Sequence, residues 1–364
     1  MDLPQMLADV RALVTCESPS DDRAAVARSA EVVAGIGHRL LGAHAQLIVI
    51  DGRTHLRWRF GDGPPRVLLL GHHDTVWPIG SLAHTPYGID GEILRGPGCF
   101  DMKAGVVQGL HAVASLPDRR GVTVLITGDE ELGSPTSREL IEKEAVGCAA
   151  ALVLEGSADG GALKTERKGV SLYRVRVTGR AAHAGLEPET GVNSTVELAH
   201  QVLAVQALAD PALGTTAVPT RMTAGTTTNT VPALGEFAVD VRARTALEQE
   251  RVDAALRALA PVLPGARIEI EGGLNRPPLE ATASDALYLR AVAIDGELGR
   301  AAVGGASDGN FTAGVGTPTL DGLGAVGGGA HAAGEHVVVA EIPRRAALVA
   351  ALTAELLAGS AVHP

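Results

Sequence analysis

Histidine and acidic side chains follow several apolar segments of this 364-residue chain. The densest segment is VLLLGHHDTVWP at 67–78, where an apolar run typical of a buried parallel strand stops at Gly71 and is followed by His72 and Asp74. Open α/β sheets keep their chemistry at the carboxyl ends of their strands. We therefore expect His72 to bind a metal ion, with Asp74 accepting the second ring proton of the imidazole. A purely structural hydrogen bond between these two residues is the alternative.

Two acidic segments have a similar relation to predicted strands and helices. In GPGCFDMKAG, Asp101 directly precedes a predicted helix, where its carboxylate would either cap the helix or bridge two cations. In GVTVLITGDEELGS, three acids follow a buried strand, and bound cations would offset this concentrated negative charge. Because neighbours on an extended backbone point in different directions, we assign Glu131 to metal binding and Glu130 to proton transfer. A solvated acidic turn is the alternative.

The remaining candidate ligands are Glu155, at the end of the apolar segment ALVLE, and His331, within the glycine-rich segment GGGAHAAGEH. His336 is a less favoured substitute for His331. Imidazole and carboxylate are the ligands that zinc accepts where sulfur is absent. The candidate ligands together are His72, Asp101, Glu131, Glu155 and His331. They predict a two-zinc hydrolytic site, although cobalt or manganese also bind such ligands.

Length and composition restrict the class of protein. At 364 residues the chain exceeds the usual domain size of roughly 100 to 200 residues, so we expect two domains. Hydrophobic residues make up 46% of the chain and aromatic residues only 2%, which indicates a globular core of aliphatic side chains. The net charge of -11 and the lack of a basic stripe argue against a nucleic-acid partner. With no long apolar stretch and an acid at position 2, we expect a cytoplasmic protein with no membrane partner.

The three cysteines, Cys16, Cys99 and Cys148, lack the spacing of a zinc finger and argue against a disulfide framework. We expect reduced thiols. Cys99 lies two residues before Asp101, but no oriented histidine is evident nearby, so a loop or core position is favoured over a nucleophile.

Hydrophobic periodicity predicts two architectures along the chain. The predicted strands are 46–51, 54–60, 66–70, 121–127, 149–154, 170–178, 221–226, 235–243 and 266–271, and the predicted helices lie within 1–42 and at 102–116, 191–208, 247–260 and 283–298. The first part alternates strand and helix, which favours an α/β fold with a mostly parallel, helix-covered sheet. From residue 168 the order is strand, helix, strand, strand, helix, strand, which is ferredoxin-like α+β. We therefore place an inserted domain at 168–276 within a catalytic domain formed by 1–167 and 277–364.

The ordered set of motifs resembles the zinc exopeptidase superfamily of carboxypeptidase G, aminoacylase, acetylornithine deacetylase and succinyl-diaminopimelate desuccinylase. The matching motifs are H-x-D at His72, GPG-x-x-D-x-K, DEE-x-GS, the later Glu155, and H-x-x-x-E at His331 and Glu335. The match spans most of the chain and looks most similar to glutamate carboxypeptidases of the carboxypeptidase G type. The longer acid at position 155 also resembles the carboxypeptidase and aminoacylase branches more than the desuccinylase branch.

The resemblance implies a ligand set for each of two zinc ions. One ion would be held by His72, Asp101 and Glu155. The other would be held by Asp101, Glu131 and His331. Asp101 would therefore bridge the two ions, and the resemblance implies a cis peptide bond directly after it.

The resemblance also implies catalytic groups and a homodimer. Glu130 would act first as general base and then as general acid. His183, in the segment GRAAHAGLEPETGVNS, matches a histidine that crosses the dimer interface and stabilises the oxyanion in the neighbouring subunit. Spacing alone would favour an ordinary surface or core histidine at this position.

Further matches concern substrate binding. Asn229 and Arg242 match positions that meet the terminal carboxylate of the substrate in glutamate carboxypeptidases, and Arg276 would assist them. A guanidinium suits bidentate recognition of a carboxylate, although Arg242 on an alternating strand is equally compatible with a solvated surface residue. Ser307 and Asp308, in GGASDGNF, resemble the substrate-side loop that precedes the last zinc histidine.

These expectations define a di-zinc metallohydrolase acting on a small-molecule substrate. We expect it to cleave the amide bond of N-acyl or peptidyl amino acids with a free carboxylate and to release C-terminal glutamate. The alternative is an N-acyl-amino-acid deacylase of the aminoacylase, acetylornithine deacetylase or desuccinylase type. A remote alternative is an inactive zinc-stabilised binding dimer, against which Glu130 argues, because a structural site needs no free carboxylate beside an open zinc position.

Overall fold

The computed structural model describes residues 1–359. In chain order the strands are β1 (Gln46–Ile50), β2 (Arg53–Arg59), β3 (Val67–His72), β4 (Gly88–Asp90), β5 (Ile93–Arg95), β6 (Val122–Thr127), β7 (Ala150–Val153), β8 (Leu163–Arg167), β9 (Gly169–Thr178), β10 (Ala182–His183), β11 (Thr216–Ala224), β12 (Thr230–Val231), β13 (Leu234–Ala243), β14 (Arg267–Arg276), β15 (Arg300–Val303), β16 (Thr319–Leu320), β17 (Gly327–Gly328) and β18 (His336–Val338). The α-helices are α1 (Leu3–Val14), α2 (Arg23–Leu41), α3 (Ala104–Ala114), α4 (Arg138–Ala145), α5 (Ser194–Gln206), α6 (Ala246–Arg257), α7 (Ala281–Ile294), α8 (Gly309–Gly314) and α9 (Glu341–Ala358). Over residues 1–359, no helix combines the length and apolarity needed to cross a bilayer.

The chain divides into two compact units. The first unit contains Met1–Arg167 and the chain from Leu279 onward, and the second is Lys168–Pro278. The two ends of the first unit that flank the second are joined to each other. The Arg167 amide donates to the Leu279 carbonyl (2.9 Å), and the Leu279 amide donates to the Arg167 carbonyl (3.0 Å). The first unit is therefore continuous in space although its chain is interrupted.

A six-stranded sheet in the order β1-β2-β6-β3-β7-β16 forms the centre of the first unit. The strands β6, β3, β7 and β16 are parallel, while the β1–β2 hairpin pairs antiparallel with the edge of β6. Every residue of β3, β6 and β7 is buried, which explains their continuous apolar sequences. The prediction of a mostly parallel, helix-covered sheet is confirmed, with the hairpin as an antiparallel addition.

The parallel strands of this sheet position the candidate site residues. Because β6, β3 and β7 are parallel neighbours, their carboxyl ends lie at one edge of the sheet. Helix α3, which follows the Asp101 loop, packs closely against the end of β7. A Cβ atom at Gly105 would lie only 2.0 Å from the carbonyl oxygen of Leu154, so this close approach requires glycine.

The first two helices begin and end where the sequence pattern suggests. The side chain of Asp22 accepts hydrogen bonds from the amides of Ala24 and Ala25 and caps α2. Gly42 ends this helix in the left-handed conformation, with φ 66°. The segment 18–20, with the sequence SPS, lies between α1 and α2.

The second unit contains a four-stranded antiparallel sheet in the order β11-β13-β9-β14. Burial alternates along β13, and its buried positions lie in a core with residues of α5 and α6. Strand order and helix placement match the predicted ferredoxin-like α+β arrangement, which is confirmed. A separate small sheet pairs β10 with β12.

Some boundaries and elements differ from the sequence predictions. The strand expected at 221–226 begins at Thr216, and its register shifts between Pro219 and Met222. The predictions also omitted α9 and the sheet β17-β18-β5-β4. Strands of two or three residues are too short to show a period in the sequence, which explains why this sheet was missed.

Candidate metal centre

His72 is buried at the carboxyl end of β3. Its Nδ1 atom lies 3.0 Å from the backbone carbonyl oxygen of Asp74 and 3.5 Å from the carboxylate Oδ1 of the same residue. The predicted acceptor was the carboxylate, whereas the closer acceptor is the carbonyl. These acceptors assign the proton to Nδ1 and leave the lone pair on Nε2, which is buried without a hydrogen-bond partner among the described residues.

Two groups of side chains meet around Asp101. In the first group, Nε2 of His72 lies 3.3 Å from Oδ1 of Asp101 and 3.5 Å from Oε1 of Glu155. In the second group, Nε2 of His331 lies 3.4 Å from Oδ2 of Asp101 and 3.0 Å from Oε2 of Glu131. Asp101 therefore faces each imidazole with a different carboxylate oxygen.

These separations fit two metal ions bound side by side. Two ligand atoms on one tetrahedral zinc lie about 3.3 to 3.6 Å apart, because each zinc–ligand bond is about 2.0 to 2.2 Å long. The distances from His72 and His331 to their carboxylate neighbours fall in or slightly below this range. The partnerless Nε2 of His72 is a second sign that this atom is suited to bind a cation.

Two of the predicted ligands, Asp101 and His331, have unusual backbone conformations. The peptide bond between Asp101 and Met102 is cis, as the resemblance implied. His331 adopts a positive φ of 61°, a conformation that is uncommon for residues other than glycine. His336, the less favoured candidate, directs Nδ1 toward the carbonyl of Gly334 at 2.9 Å. The structure therefore brings His331 into the cluster.

The electrostatics of the cluster are those of an acid-rich site. Burial lowers the pKa of His72, but the adjacent carboxylates, that of Asp101 first, outweigh it and raise this pKa well above its usual value. Hydrogen bonds with Asp101 and Glu131 raise the pKa of His331 to about 10. Burial raises the pKa of Glu131, whereas the imidazoles outweigh burial at Asp101 and hold its pKa far below the usual range. Without a cation, protons on the imidazoles offset the carboxylate charge.

Asp74 organises the turn that carries Glu130 and Glu131. Its two carboxylate oxygens accept hydrogen bonds from the amides of Glu130 and Glu131, each at 3.2 Å, and the hydroxyl of Ser20 donates at 2.6 Å. Burial alone would raise the pKa of Asp74, but hydrogen bonds from His72 and Ser20 lower it to about 2. Asp74 is thus an ionised residue that connects the histidine loop with the acidic turn.

Glu130 is buried on this turn, next to the first group of ligands. Ligand atoms of His72, Glu130 and Glu155 all lie within 4.8 Å of one another, as do those of His72, Asp101 and Glu131. At this distance Glu130 can receive a proton from water held at the cluster. Its position is also compatible with metal binding, but the imidazole of His331 contacts Glu131.

Ser307 and Asp308 are buried and have partners inside the first unit. Asp308 accepts hydrogen bonds from the hydroxyls of Thr127 (3.1 Å) and Ser134, which flank the acidic turn. Ser307 donates to Oδ2 of Asp321 at 2.6 Å. Asp308 therefore connects residues on both sides of the acidic turn, and Ser307 contacts Asp321.

Arg167 is a buried residue of the site that the sequence analysis missed. Its Nε and Nη2 atoms lie 2.7 and 3.2 Å from the two carboxylate oxygens of Asp321, and Nη2 is 3.6 Å from Oε2 of Glu155. Glu155 therefore directs one oxygen toward His72 and the other toward a guanidinium. Arg167 shares the buried face of β8 with Leu163, but the polar sequence LKTER contains no signal of this burial.

In the second unit, His183 and Asn229 are close together. The amide of Ala184 donates to the Asn229 carbonyl at 2.9 Å. The amides of Gly185 and Leu186 both donate to Nδ1 of His183, each at 3.1 Å. A neutral imidazole whose Nδ1 accepts two hydrogen bonds carries its proton on Nε2, so exposed His183 presents a hydrogen-bond donor.

The two arginines predicted to bind substrate differ in their surroundings. Arg242 forms a bidentate pair with Asp240 on the same face of β13, with Nε–Oδ1 and Nη2–Oδ2 distances of 2.7 and 2.9 Å. Arg276 is buried at the end of β14, and its carbonyl accepts a hydrogen bond from Gln249 (2.9 Å). An incoming carboxylate at Arg242 would compete with Asp240.

The cysteine thiols are free among the described residues. Burial raises the pKa of the Cys99 thiol far above its usual value and that of Cys148 to about 11. A thiol with a raised pKa is a poor nucleophile at neutral pH, which supports the core interpretation of Cys99.

A mixed sheet with a ferredoxin-like unit and a histidine–carboxylate cluster suited to metal binding indicate a metallohydrolase. The model of the peptidase family M20/M25/M40 matches residues 68–355. Carboxypeptidase G2 of Pseudomonas sp. (strain RS-16) is 34% identical over 317 residues, covering 82% of this chain and 76% of the relative. Succinyl-diaminopimelate desuccinylase of Methylobacterium sp. (strain 4-46) is 27% identical over 378 residues, covering 95% and 94%.

Solved structures support the same fold. An M20 family metallo-carboxypeptidase from Sulfolobus solfataricus superposes with a TM-score of 0.75 at 18% identity, covering 98% of this chain and 99% of that one. The aminopeptidase PepT from Bacillus cereus has a TM-score of 0.73 at 20% identity, with the same coverage of 98% and 99%. The chain belongs to the peptidase family M20/M25/M40 and is a metal-dependent hydrolase acting on peptides or N-acyl amino acids.

Proposed function

We propose that the protein is a di-zinc glutamate carboxypeptidase-like enzyme that releases C-terminal glutamate from N-acyl or peptidyl substrates. The observation that carries the proposal is the carboxylate of Asp101, whose two oxygens lie 3.3 and 3.4 Å from the imidazoles of two separate ligand groups. The 34% identity with carboxypeptidase G2 supports the choice of a carboxypeptidase.

Five side chains would hold the metal pair. His72 and Glu155 would bind one ion, His331 and Glu131 the other, and Asp101 both. When bound, the ions supply a Lewis acid for the amide carbonyl and lower the pKa of a water molecule. Zinc is the first choice for this nitrogen and oxygen ligand set, although cobalt and manganese are compatible with it.

Glu130 would move the protons of the reaction. Its buried carboxylate is within reach of the ligand cluster, and its backbone amide is fixed by Asp74 at 3.2 Å. From this position it would take a proton from the attacking water and then donate it to the nitrogen of the leaving amino acid. One carboxylate is sufficient for both steps because they occur in sequence at the same bond.

His183 would stabilise the negative charge that develops on the carbonyl oxygen. Its Nδ1 is occupied by two backbone donors at 3.1 Å, which leaves Nε2–H as the donor to an oxyanion. The family resemblance implies that this group comes from a partner subunit, and we therefore propose a homodimer. Asn229 lies directly before β12 of the same small sheet and would contact the substrate nearby.

Arg242 would recognise the carboxylate of the released amino acid. A guanidinium binds a carboxylate through two parallel hydrogen bonds, the geometry that Arg242 already forms with Asp240. Substrate would therefore exchange one carboxylate partner for another. Arg276 is assigned an assisting role from the resemblance.

An N-acyl-amino-acid deacylase is the second candidate. The match to a succinyl-diaminopimelate desuccinylase over 95% of this chain favours it, because that relative covers more of the chain than carboxypeptidase G2 does. Both candidates use the same metal centre and differ in which side of the amide bond is recognised.

A substrate panel separates the two candidates. Purified protein loaded with zinc is tested by mass spectrometry on N-aroyl glutamates, N-acetyl amino acids and N-succinyl diamino acids. The panel also includes N-aroyl glutamate α-amide, which keeps its γ-carboxylate but lacks the free α-carboxylate. The proposal expects hydrolysis of the aroyl glutamate and at least about a hundredfold lower kcat/KM for the α-amide, because the neutral amide offers the Arg242 guanidinium one oxygen and no negative charge.

The outcomes are distinct. Preference for N-succinyl or N-acetyl substrates irrespective of a glutamyl group supports the deacylase. Equal hydrolysis of the acid and the α-amide contradicts the role of Arg242. An Arg242→Met variant provides the matched control, since it should lower kcat/KM for the acid alone.

A further inference from the structure

The carboxylate of Glu335 is buried and accepts four hydrogen bonds, three of them from one loop. Oε1 accepts from the amides of Phe100 (2.8 Å) and Asp101 (3.0 Å). Oε2 accepts from the amide of Gly98 (2.9 Å) and from the indole Nε1–H of Trp77 (2.7 Å). Both oxygens are therefore occupied, and the side chain has no role in the proposed reaction.

Four hydrogen-bond donors surround this one carboxylate. A buried carboxylate is costly unless hydrogen bonds replace its hydration, and hydrogen bonds to an ionised acceptor are stronger than those between neutral groups. Here three of the donors are backbone amides within four consecutive residues, 98–101. The arrangement fixes backbone position rather than a side-chain orientation.

The loop that Glu335 contacts needs such a constraint. It has the sequence GPGCFD, and Gly96 and Gly98 both adopt positive φ values, 150° and 71°. Glycine at these positions permits the turn but leaves the unfolded loop many other conformations. The last residue of the loop is Asp101, the ligand that both metal ions would share.

Glu335 also lies on the segment that carries His331, four residues earlier. His331 approaches the side chain of Asp101 at 3.4 Å, while Glu335 accepts from the backbone amide of the same residue at 3.0 Å. One segment therefore contributes a ligand and fixes the position of a second ligand. In the sequence, these two contacts correspond to the pattern H-x-x-x-E at His331 and Glu335.

We propose that Glu335 is a positioning residue that holds the loop 98–101 so that Asp101 is placed to bridge two metal ions before they bind. The proposal rests on the metal centre described under the proposed function. It assigns Glu335 an effect on both ions together, because the ligand it positions is shared. A residue that positions a terminal ligand would affect one ion only.

Glu335→Gln is the sharpest variant, because it keeps the size and shape of the side chain. An amide has one oxygen, so its nitrogen faces two N–H donors and cannot accept from them. We expect both zinc ions to bind about 10- to 100-fold more weakly, the range seen when a group that orients a metal ligand is changed. Zinc affinity and stoichiometry are measured by competition with a chromogenic chelator.

Trp77→Phe is the matched control. It removes the indole donor from Oε2 of Glu335 but leaves all three bonds to the loop, so the position of Asp101 is kept and the expected loss of zinc affinity is below about threefold. Wild-type affinity for both ions in Glu335→Gln overturns the proposal. Equal weakening in the two variants also overturns it, since the contacts with the loop would then not be the cause.

Hydrogen exchange of the metal-free protein tests the proposal without relying on metal binding. The amides of Gly98, Phe100 and Asp101 should exchange slowly in wild type and at least about tenfold faster in Glu335→Gln, with the exchange of β3 unchanged. Fast exchange in wild type overturns the proposal. If wild type binds no divalent ion, the proposed metal centre fails, whereas this exchange pattern still supports or overturns the positioning role.

Discussion

The two units of the protein use charged residues in different ways. In the first unit, many acidic side chains are buried and accept several hydrogen bonds each; examples outside the proposed ligand set are Asp74, Asp129, Asp308, Asp321 and Glu335. In the second unit, an exposed ion-pair network lies on the sheet face away from the helices. It consists of Arg174, Arg176, Glu236 and Glu271, with separations of 3.2 to 3.9 Å.

The difference shows which loops and side chains are held in defined positions. Buried carboxylates with short, directional hydrogen bonds fix the loops that deliver the ligands, and removing a partner would leave an uncompensated charge. Exposed pairs are screened by water and contribute little to stability or position. In the second unit, the tautomer of His183 is set by two backbone amides, and buried Glu197 accepts hydrogen bonds from the amides of Val262 and Leu263. Substitutions should therefore have large effects in the first unit and small effects on the exposed network.

The largest effect on activity is expected in the acidic turn of the first unit, where Glu130 and Glu131 are assigned different roles. Glu130→Gln should lower kcat by about 10²- to 10⁴-fold with zinc content unchanged, because proton transfer is lost while the ligands remain. The adjacent variant Glu131→Gln should instead lose one zinc ion. Kinetics with an N-acyl amino acid and metal analysis of both variants provide the measurement. Loss of zinc in Glu130→Gln with retention in Glu131→Gln would reverse the two assignments.

A matched pair of arginines tests buried against exposed charge. Arg167→Met leaves the fully buried carboxylate of Asp321 without its bidentate partner and should destabilise the fold by about 3 to 5 kcal/mol. Arg176→Met, in the exposed network, should change stability by less than about 1 kcal/mol. Urea unfolding with a chelator present measures both, since bound metal would add its own stabilisation.

The double variant Arg167→Met/Asp321→Leu extends this test. Replacing both partners with apolar residues removes the unpaired charge, so it should recover much of the stability lost in the single variant. No recovery would show that the packing around Arg167, rather than charge compensation, is what the single variant disrupts.

The sequence predicted those parts of the site that follow directly from strand order. His72 and Glu155 come at or just after the ends of buried apolar strands, and parallel pairing brings such ends together. The role of Arg167 could not be predicted in this way, because its segment TERKG is polar and its burial depends on pairing of β8 with β15. The partners of Glu335 lie 234 to 258 residues away in sequence. Local pattern contains no information on such distant hydrogen bonds.

A smaller effect on kcat is expected for His183 of the second unit. His183→Ala should lower kcat by about 10²- to 10³-fold, the usual cost of removing one oxyanion donor, with zinc content and stability unchanged. His200→Ala, at an exposed histidine on α5, is the control and should leave kcat unchanged. Kinetic analysis with saturating substrate distinguishes them. A change confined to KM would assign His183 to substrate binding instead of oxyanion stabilisation.

The smallest expected effect is the change in zinc affinity with pH, which depends on the protons bound by the histidines of the metal centre. Because the pKa of His331 is about 10 in the metal-free protein, this imidazole is protonated at neutral pH and must lose its proton to bind an ion. Binding therefore releases a proton, and zinc affinity should rise about tenfold per pH unit from pH 6 to 8 for each imidazole that is deprotonated. The raised pKa of His72 adds the same dependence for the other ion. Calorimetry in buffers with different ionisation enthalpies counts the released protons. A zinc affinity independent of pH would mean that the imidazoles are already neutral before metal binding. The negative charge of the carboxylates would then be uncompensated in the metal-free protein.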